Sequence, residues 1–146
     1  MVREACREDL PALLRLYLSL HETRVPDDSD RLHETWESIL RDENRHLLVF
    51  EENGELLSSC DCVIVPNLTR DARPYALIEN VVTRADCRGR GLAGACLARA
   101  RELAGEAGCY KVMLMTGSRE ESTLRFYRRA GFDSGEKTAF VLRLEP

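Results

Sequence analysis

The stretch Tyr75-Ala-Leu-Ile-Glu-Asn-Val-Val-Thr-Arg-Ala-Asp-Cys-Arg-Gly-Arg-Gly-Leu-Ala-Gly94 decides how this chain is read. Tyr75 to Thr83 is apolar almost throughout, as expected of a strand in the middle of a sheet. Arg84 to Gly91 is a polar connection rich in arginine and glycine. From Leu92 onward Leu92, Cys96, Leu97, Ala100, Leu103, Ala104 and Ala107 recur at helical spacing. That spacing predicts an amphipathic helix over 92–107, weakened by Gly105 and ended by Gly108. Tyr110 to Thr116 then reads as a buried strand. Strand, helix and strand in this order form a βαβ unit, right-handed if its strands are neighbours.

The connection between strand and helix carries chemistry. Backbone N–H groups at a helix N-terminus have no intrahelical partner, and the helix dipole adds positive potential there. Gly89 and Gly91 have no side chain to keep a phosphate from those amides, and Arg88 and Arg90 add charge. A phosphate or pyrophosphate is the natural ligand of Gly89 to Gly94. Gly89-x-Gly91-x-x-Gly94 also matches the dinucleotide fingerprint. That fingerprint requires its glycines directly after the strand, and here Arg84 to Arg88 intervene. No Gly-Lys-Ser/Thr follows, which excludes a Walker loop at this position.

Upstream, Val2 to Cys6 reads as a short strand. Asp9 then reads as an N-cap and Pro11 as first-turn proline of a helix reaching about His21. A second helix spans 30–41. His46 to Glu51 and Glu55 to Val65 form a hairpin around Asn53-Gly54, a sequence suited to a two-residue turn. Downstream, Ser118 can cap a helix over 119–130 that Gly131 ends, and Lys137 to Leu144 reads as a last strand. The expected fold is α/β (α+β): one domain over 1–146, a mixed, mostly antiparallel sheet of 6–7 strands and about four helices.

Composition bounds the rest. The chain has 146 residues, 44% hydrophobic and 32% charged, as in a folded globular protein. Residues 1–83 carry 9 basic and 17 acidic side chains, and residues 84–146 carry 12 and 8, so a net of −8 is followed by +4. The split suggests ligand ends of opposite charge, with a cationic partner for the acidic half, and argues against a nucleic-acid binder. The opening Met-Val-Arg-Glu-Ala runs straight into charges, and no run is long enough to span a bilayer. A cytoplasmic location away from membranes is expected. The six cysteines do not pair with the three histidines at metal-site spacing, so reduced thiols and no metal are expected.

These residues resemble the GNAT superfamily of acetyl-CoA-dependent N-acetyltransferases. Its Gln/Arg-x-x-Gly-x-Gly/Ala pattern is met by Arg88, Gly91 and Ala93, and its Phe-Tyr-x-x-x-Gly-Phe segment by Phe126 to Phe132. The resemblance implies a splayed pair of parallel strands at the centre of the sheet and acetyl-CoA as co-substrate. It assigns the CoA pyrophosphate to Arg88, Gly89, Arg90, Gly91, Leu92, Ala93 and Gly94, and the pantetheine arm to the backbone of Val81, Val82 and Thr83. Arg128 reaches toward the adenosine phosphate in that scheme. Tyr127 aligns with the tyrosine that faces the CoA sulfur, where it would act as general acid. Glu79, on the central strand beside the splay, is the candidate base, with a water chain as the alternative. Glu120 and Thr123 depart from the Asn and Ala common at those positions.

The expected reaction moves an acetyl group to a primary amine of a small molecule or peptide, a cationic one if the charge split is a guide. A homodimer is common in that superfamily, although no feature of the sequence places an interface. A non-catalytic acyl-CoA-binding module on the same fold is the alternative function.

Overall fold

A computed structural model describes residues Met1–Glu145. The backbone gathers into two units, Met1–Leu114 and a second that begins at Met115.

The first unit is a five-stranded sheet in the order β1-β2-β3-β4-β5. Its strands are β1 (Val2–Glu4), β2 (Arg45–Glu52), β3 (Glu55–Val65), β4 (Tyr75–Thr83) and β5 (Val112–Leu114). Neighbours are antiparallel except β4 and β5, which run parallel through Ala76↔Val112, Leu77↔Met113 and Ile78↔Leu114. The mixed, mostly antiparallel sheet with one parallel pair matches the expected class. It has five strands rather than 6–7. Lys137 to Leu144, expected as the last strand, has no regular structure. Phe140, Leu142 and Leu144 are almost fully exposed. Strand composition is local, whereas a strand exists only where a second edge meets it.

The helices are α1 (Leu10–Leu16), α2 (Asp30–Arg41), the single turn α3 (Thr69–Ala72) and α4 (Leu92–Glu106). Pro11 opens α1, and Ser29 caps α2 by accepting the Leu32 N–H at 3.2 Å. Asp9 does not cap α1 through its side chain. Its carboxylate instead accepts the Cys6 N–H at 2.7 Å and binds Arg3. The first helix ends at Leu16 and continues only as a 3-10 turn over Tyr17–Ser19. At the β2–β3 hairpin, Asn53 and Gly54 take φ of 52° and 79°, the paired positive values a two-residue turn of this kind requires.

Strand alternation divides the core in two. Leu47 and Val49 pack with Leu13 and Leu16 of α1 and Trp36 of α2. Leu48, between them, points to the opposite face, where α4 covers β2, β3 and β4. There Cys60 of β3 sits against Cys96 of α4, and both are fully buried.

Candidate functional site

A bulge in β4 organises the site. The register runs Ser59↔Val82 and Asp61↔Glu79, so β4 spends one residue more than β3 over this interval. Asn80 takes φ of 52° to absorb it, a left-handed value that Asn tolerates better than most residues. The extra residue changes the phase of the strand. Ala76 and Ile78 are buried on one face, yet Val82 joins the α1–α2 cluster and Asn80 lines a pocket beneath those helices. Beyond Ile78 no strand of the described residues pairs with β4 on the β5 side. The backbone from Glu79 to Thr83 therefore offers hydrogen-bonding groups along that edge.

Thr83 leads into a 3-10 turn over Ala85–Cys87 and then the glycine connection. This connection is anchored at several points. Cys87 and Leu92 are buried together with Leu57. Arg84 binds Asp86 and Glu55, at 2.6 and 3.0 Å. Arg90 binds both oxygens of Glu52, at 2.9 and 3.0 Å, and Arg88 donates to the Ser19 carbonyl at 3.2 Å.

Gly89 and Gly91 have φ of 77° and 79°, and a Cβ at either position would meet nothing within 4 Å. Glycine is thus required here by the backbone angle, and the space above both residues is open. Gly91 starts α4 without a side-chain cap, and the first helical bond runs from the Ala95 N–H to the Gly91 carbonyl at 3.0 Å. The amides of Leu92, Ala93 and Gly94 precede it and have no partner in the helix ladder. Open left-handed glycines, uncommitted amides and neighbouring arginines fit a phosphate-bearing ligand.

Glu79 is exposed on β4, opposite Asp61 in the register. Val81 is half-buried. The Thr83 hydroxyl lies 3.0 Å from the Ser58 hydroxyl, which donates to the Val82 carbonyl at 2.7 Å. Glu79 through Gly94 thus form one continuous segment from the bulge to the first turn of α4.

The charge split takes a different form in space. Glu52 and Glu55 of the acidic half pair with Arg90 and Arg84 of the basic half. Within the acidic half, Arg3 binds Asp9 and Glu51, Arg7 binds Glu37, and Arg45 binds Asp61. Only Glu52 and Glu55 of the excess acids are thus neutralised across the split, because the pairs within residues 1–83 are already counted in their net −8.

Asp61 has no counterpart in the sequence reading. It is a 2%-exposed carboxylate on the α1–α2 face of β3. The Arg45 guanidinium binds both of its oxygens, with Nε at 3.0 and 3.1 Å. Beside it, burial and the Asp61 charge push the Tyr17 hydroxyl up to about 12. Asp61, Arg45, Tyr17, Trp36 and Asn80 share a pocket of about 140 Å³. The signal was visible: an aspartate between Cys60 and Cys62 on an apolar strand must be paired to be buried.

The thiols are free, as expected, and those of Cys60, Cys62, Cys87 and Cys96 are buried. Among the described residues no His, Cys, Asp and Glu cluster could hold a metal ion, and no helix is long and apolar enough to cross a membrane.

The second unit contains α5 (Glu121–Arg129). Ser118 precedes it, its hydroxyl accepting the Glu120 N–H at 3.3 Å and lying 3.2 Å from that of Thr123. Tyr127 is half-buried, its ring 5.0 Å from Phe126 and edge-on to Phe132 at 6.3 Å. Arg128 pairs with Glu121 at 3.1 Å.

Residues 10–132 match the Acetyltransferase (GNAT) family. A sheet whose β4 is bulged and whose next connection opens α4 with left-handed glycines defines the class, and the chain belongs to this family of acetyltransferases. It is similar to the solved structure "Putative acetyltransferase from Agrobacterium tumefaciens str. C58", with 40% identity and a TM-score of 0.91 over 98% of this chain and 99% of that one. It is 34% identical to a glucosamine 6-phosphate N-acetyltransferase of Trypanosoma brucei brucei over 60% of this chain. It is 27% identical to an uncharacterized N-acetyltransferase of Methanocaldococcus jannaschii over 98% of this chain. These matches span 57% and 65% of the two relatives' own lengths.

Proposed function

We propose that the protein transfers the acetyl group of acetyl-CoA to a primary amine of a small molecule or peptide in a ternary complex. The observation that supports this best is the segment Glu79–Gly94. A bulged strand with a free edge runs into open glycines and uncommitted helix amides, the arrangement an extended phosphate-ended ligand needs. Acetyl-CoA supplies an activated acetyl thioester.

In this reading the amides of Gly89, Arg90, Gly91, Leu92, Ala93 and Gly94 bind pyrophosphate, with Arg88 and Arg90 adding charge. Arg90 exchanges Glu52 for phosphate as it does so. Val81, Val82 and Thr83 hold the pantetheine through the β4 edge, and Arg128 serves the adenosine phosphate. Glu79 takes a proton from the ammonium form of the acceptor, directly or through water, and leaves the free amine to attack. The amine nitrogen bonds to the acetyl carbon, the carbon–sulfur bond breaks, the Tyr127 hydroxyl protonates the departing sulfur, and the second nitrogen proton passes back to the tyrosinate as the amide forms. A phenol at about 10 and a thiol at about 8.5 are close enough for that transfer.

The test is calorimetry with acetyl-CoA and release of CoA with a panel of amines. Gly91→Val, which forces a branched side chain into a left-handed angle, is expected to weaken acetyl-CoA binding about tenfold or more. Tyr127→Phe is expected to lower kcat about a hundredfold with acetyl-CoA affinity unchanged. An undiminished Tyr127→Phe rate removes the acid role. Binding without CoA release for any amine turns the protein into an acyl-CoA-binding module.

A further inference from the structure

The pocket beneath α1 and α2 has properties that select among amines. Leu14 of α1, Leu32, Trp36 and Ile39 of α2 and Asn80 of the β4 bulge line it, and Tyr17 and Thr35 add polar groups. It has about 140 Å³, and apolar cavities of roughly 150 Å³ accommodate a benzene ring. The one carboxylate that reaches it, Asp61, is matched by Arg45 in a two-point pair. The pocket therefore has no uncompensated charge with which to fix a cationic body, and its surface is more apolar than polar, which disfavours a ring covered in hydroxyls. Trp36 is held in place by its Nε1–H, which donates to the Arg7 carbonyl at 3.1 Å.

Position links this pocket to the proposed chemistry. Asn80 lies between Glu79 and Val81, so the pocket reaches the bulge next to the proposed base. We propose that this pocket holds the acceptor by a compact apolar group of about aromatic-ring size, and that the substrate class is a monoamine bearing such a group. This rests on the transferase reading above. It departs from the amino-sugar acceptor named for the trypanosome relative and from the cationic acceptor that the charge split suggested.

Trp36 is the one tryptophan of the chain and lines the pocket, so its fluorescence reports occupancy without any turnover. The full-length protein, without acetyl-CoA, is titrated with phenethylamine, glucosamine 6-phosphate and spermidine. Phenethylamine is expected to shift Trp36 emission saturably and to bind about tenfold tighter than the other two, the discrimination an apolar pocket can supply. Leu32→Phe, which fills the pocket from its half-exposed rim, is expected to weaken phenethylamine by about tenfold. Its circular dichroism and acetyl-CoA affinity are expected to stay those of the parent.

A silent Trp36 with phenethylamine, or preferential acetylation of glucosamine 6-phosphate or spermidine, overturns the pocket assignment and leaves the transferase reading standing. Saturable phenethylamine binding with no CoA release from any amine supports the pocket and sinks the transferase reading instead.

Discussion

The two faces of the β2–β3–β4 sheet are built from different chemistry. Toward α4 the buried side chains are small or apolar: Cys60, Cys96, Ala76, Ile78 and Ala100 close the interface. Toward α1 and α2 the same strands bury a carboxylate paired with a half-buried arginine, place a tyrosine beside it and leave a pocket of about 140 Å³. Close packing maximises stability, whereas a buried ion pair beside a cavity costs some of it. One sheet thus carries a face that stabilises the fold and a face shaped for a ligand, and the β4 bulge is where the strand changes allegiance.

The comparison can be broken most sharply at Asp61. Asp61→Ala leaves the half-buried Arg45 guanidinium without its partner, and a loss of about 2 kcal/mol in urea unfolding is expected. Replacing Arg45 and Asp61 together by leucine should recover most of that loss. If the double variant also keeps acceptor selectivity, the ion pair has no bearing on the ligand face.

A second pair sits at the entrance to α1. Arg3 beside Asp9 holds this carboxyl down at about 2, from an ordinary 3.8. A lowered folded value contributes stability above the unfolded value and loses it as pH falls toward the folded one. About 2 kcal/mol should disappear as the pH drops from 4 to 2, and Asp9→Asn should abolish that dependence.

At the bulge itself, Asn80→Val places a β-branched residue at φ of 52° and should cost about 1–2 kcal/mol. Asn80→Gly should stay within roughly 0.5 kcal/mol of the parent, because glycine adopts this angle freely. A tolerated valine would mean that the phase change does not depend on the left-handed residue. On the opposite face, Cys60→Ala should cost about 1 kcal/mol through lost packing and leave kcat/KM with every amine unchanged. A change in acceptor preference would show that the two faces communicate.

What could be read from the sequence was what is locally encoded. Asn53-Gly54, Pro11 and the Gly89–Gly91 pair each act through their own backbone angles, so the hairpin, the start of the first helix and the α4 entry were legible. The bulge was not. Asn80 looks like any strand residue until the pairs Ser59↔Val82 and Asp61↔Glu79 on either side of it fix the register. The Arg45–Asp61 pair was hidden because its members are 16 residues apart and meet across a hairpin. Lys137 to Leu144 misled for the converse reason: its composition favours a strand, but pairing is supplied from elsewhere in the chain.

The thiols of the α4 face give the protein a clock of its own. Burial pushes Cys62 up to about 12 and Cys96 up to about 11, so neither presents thiolate to a reagent at neutral pH. Cys6 is exposed and free. A thiol reagent added to the native protein should reach exposed Cys6 and half-buried Cys109 first and then wait on the interior. The pace at which the inner sulfurs follow measures how often α4 lifts from the sheet, with no label, denaturant or substrate required.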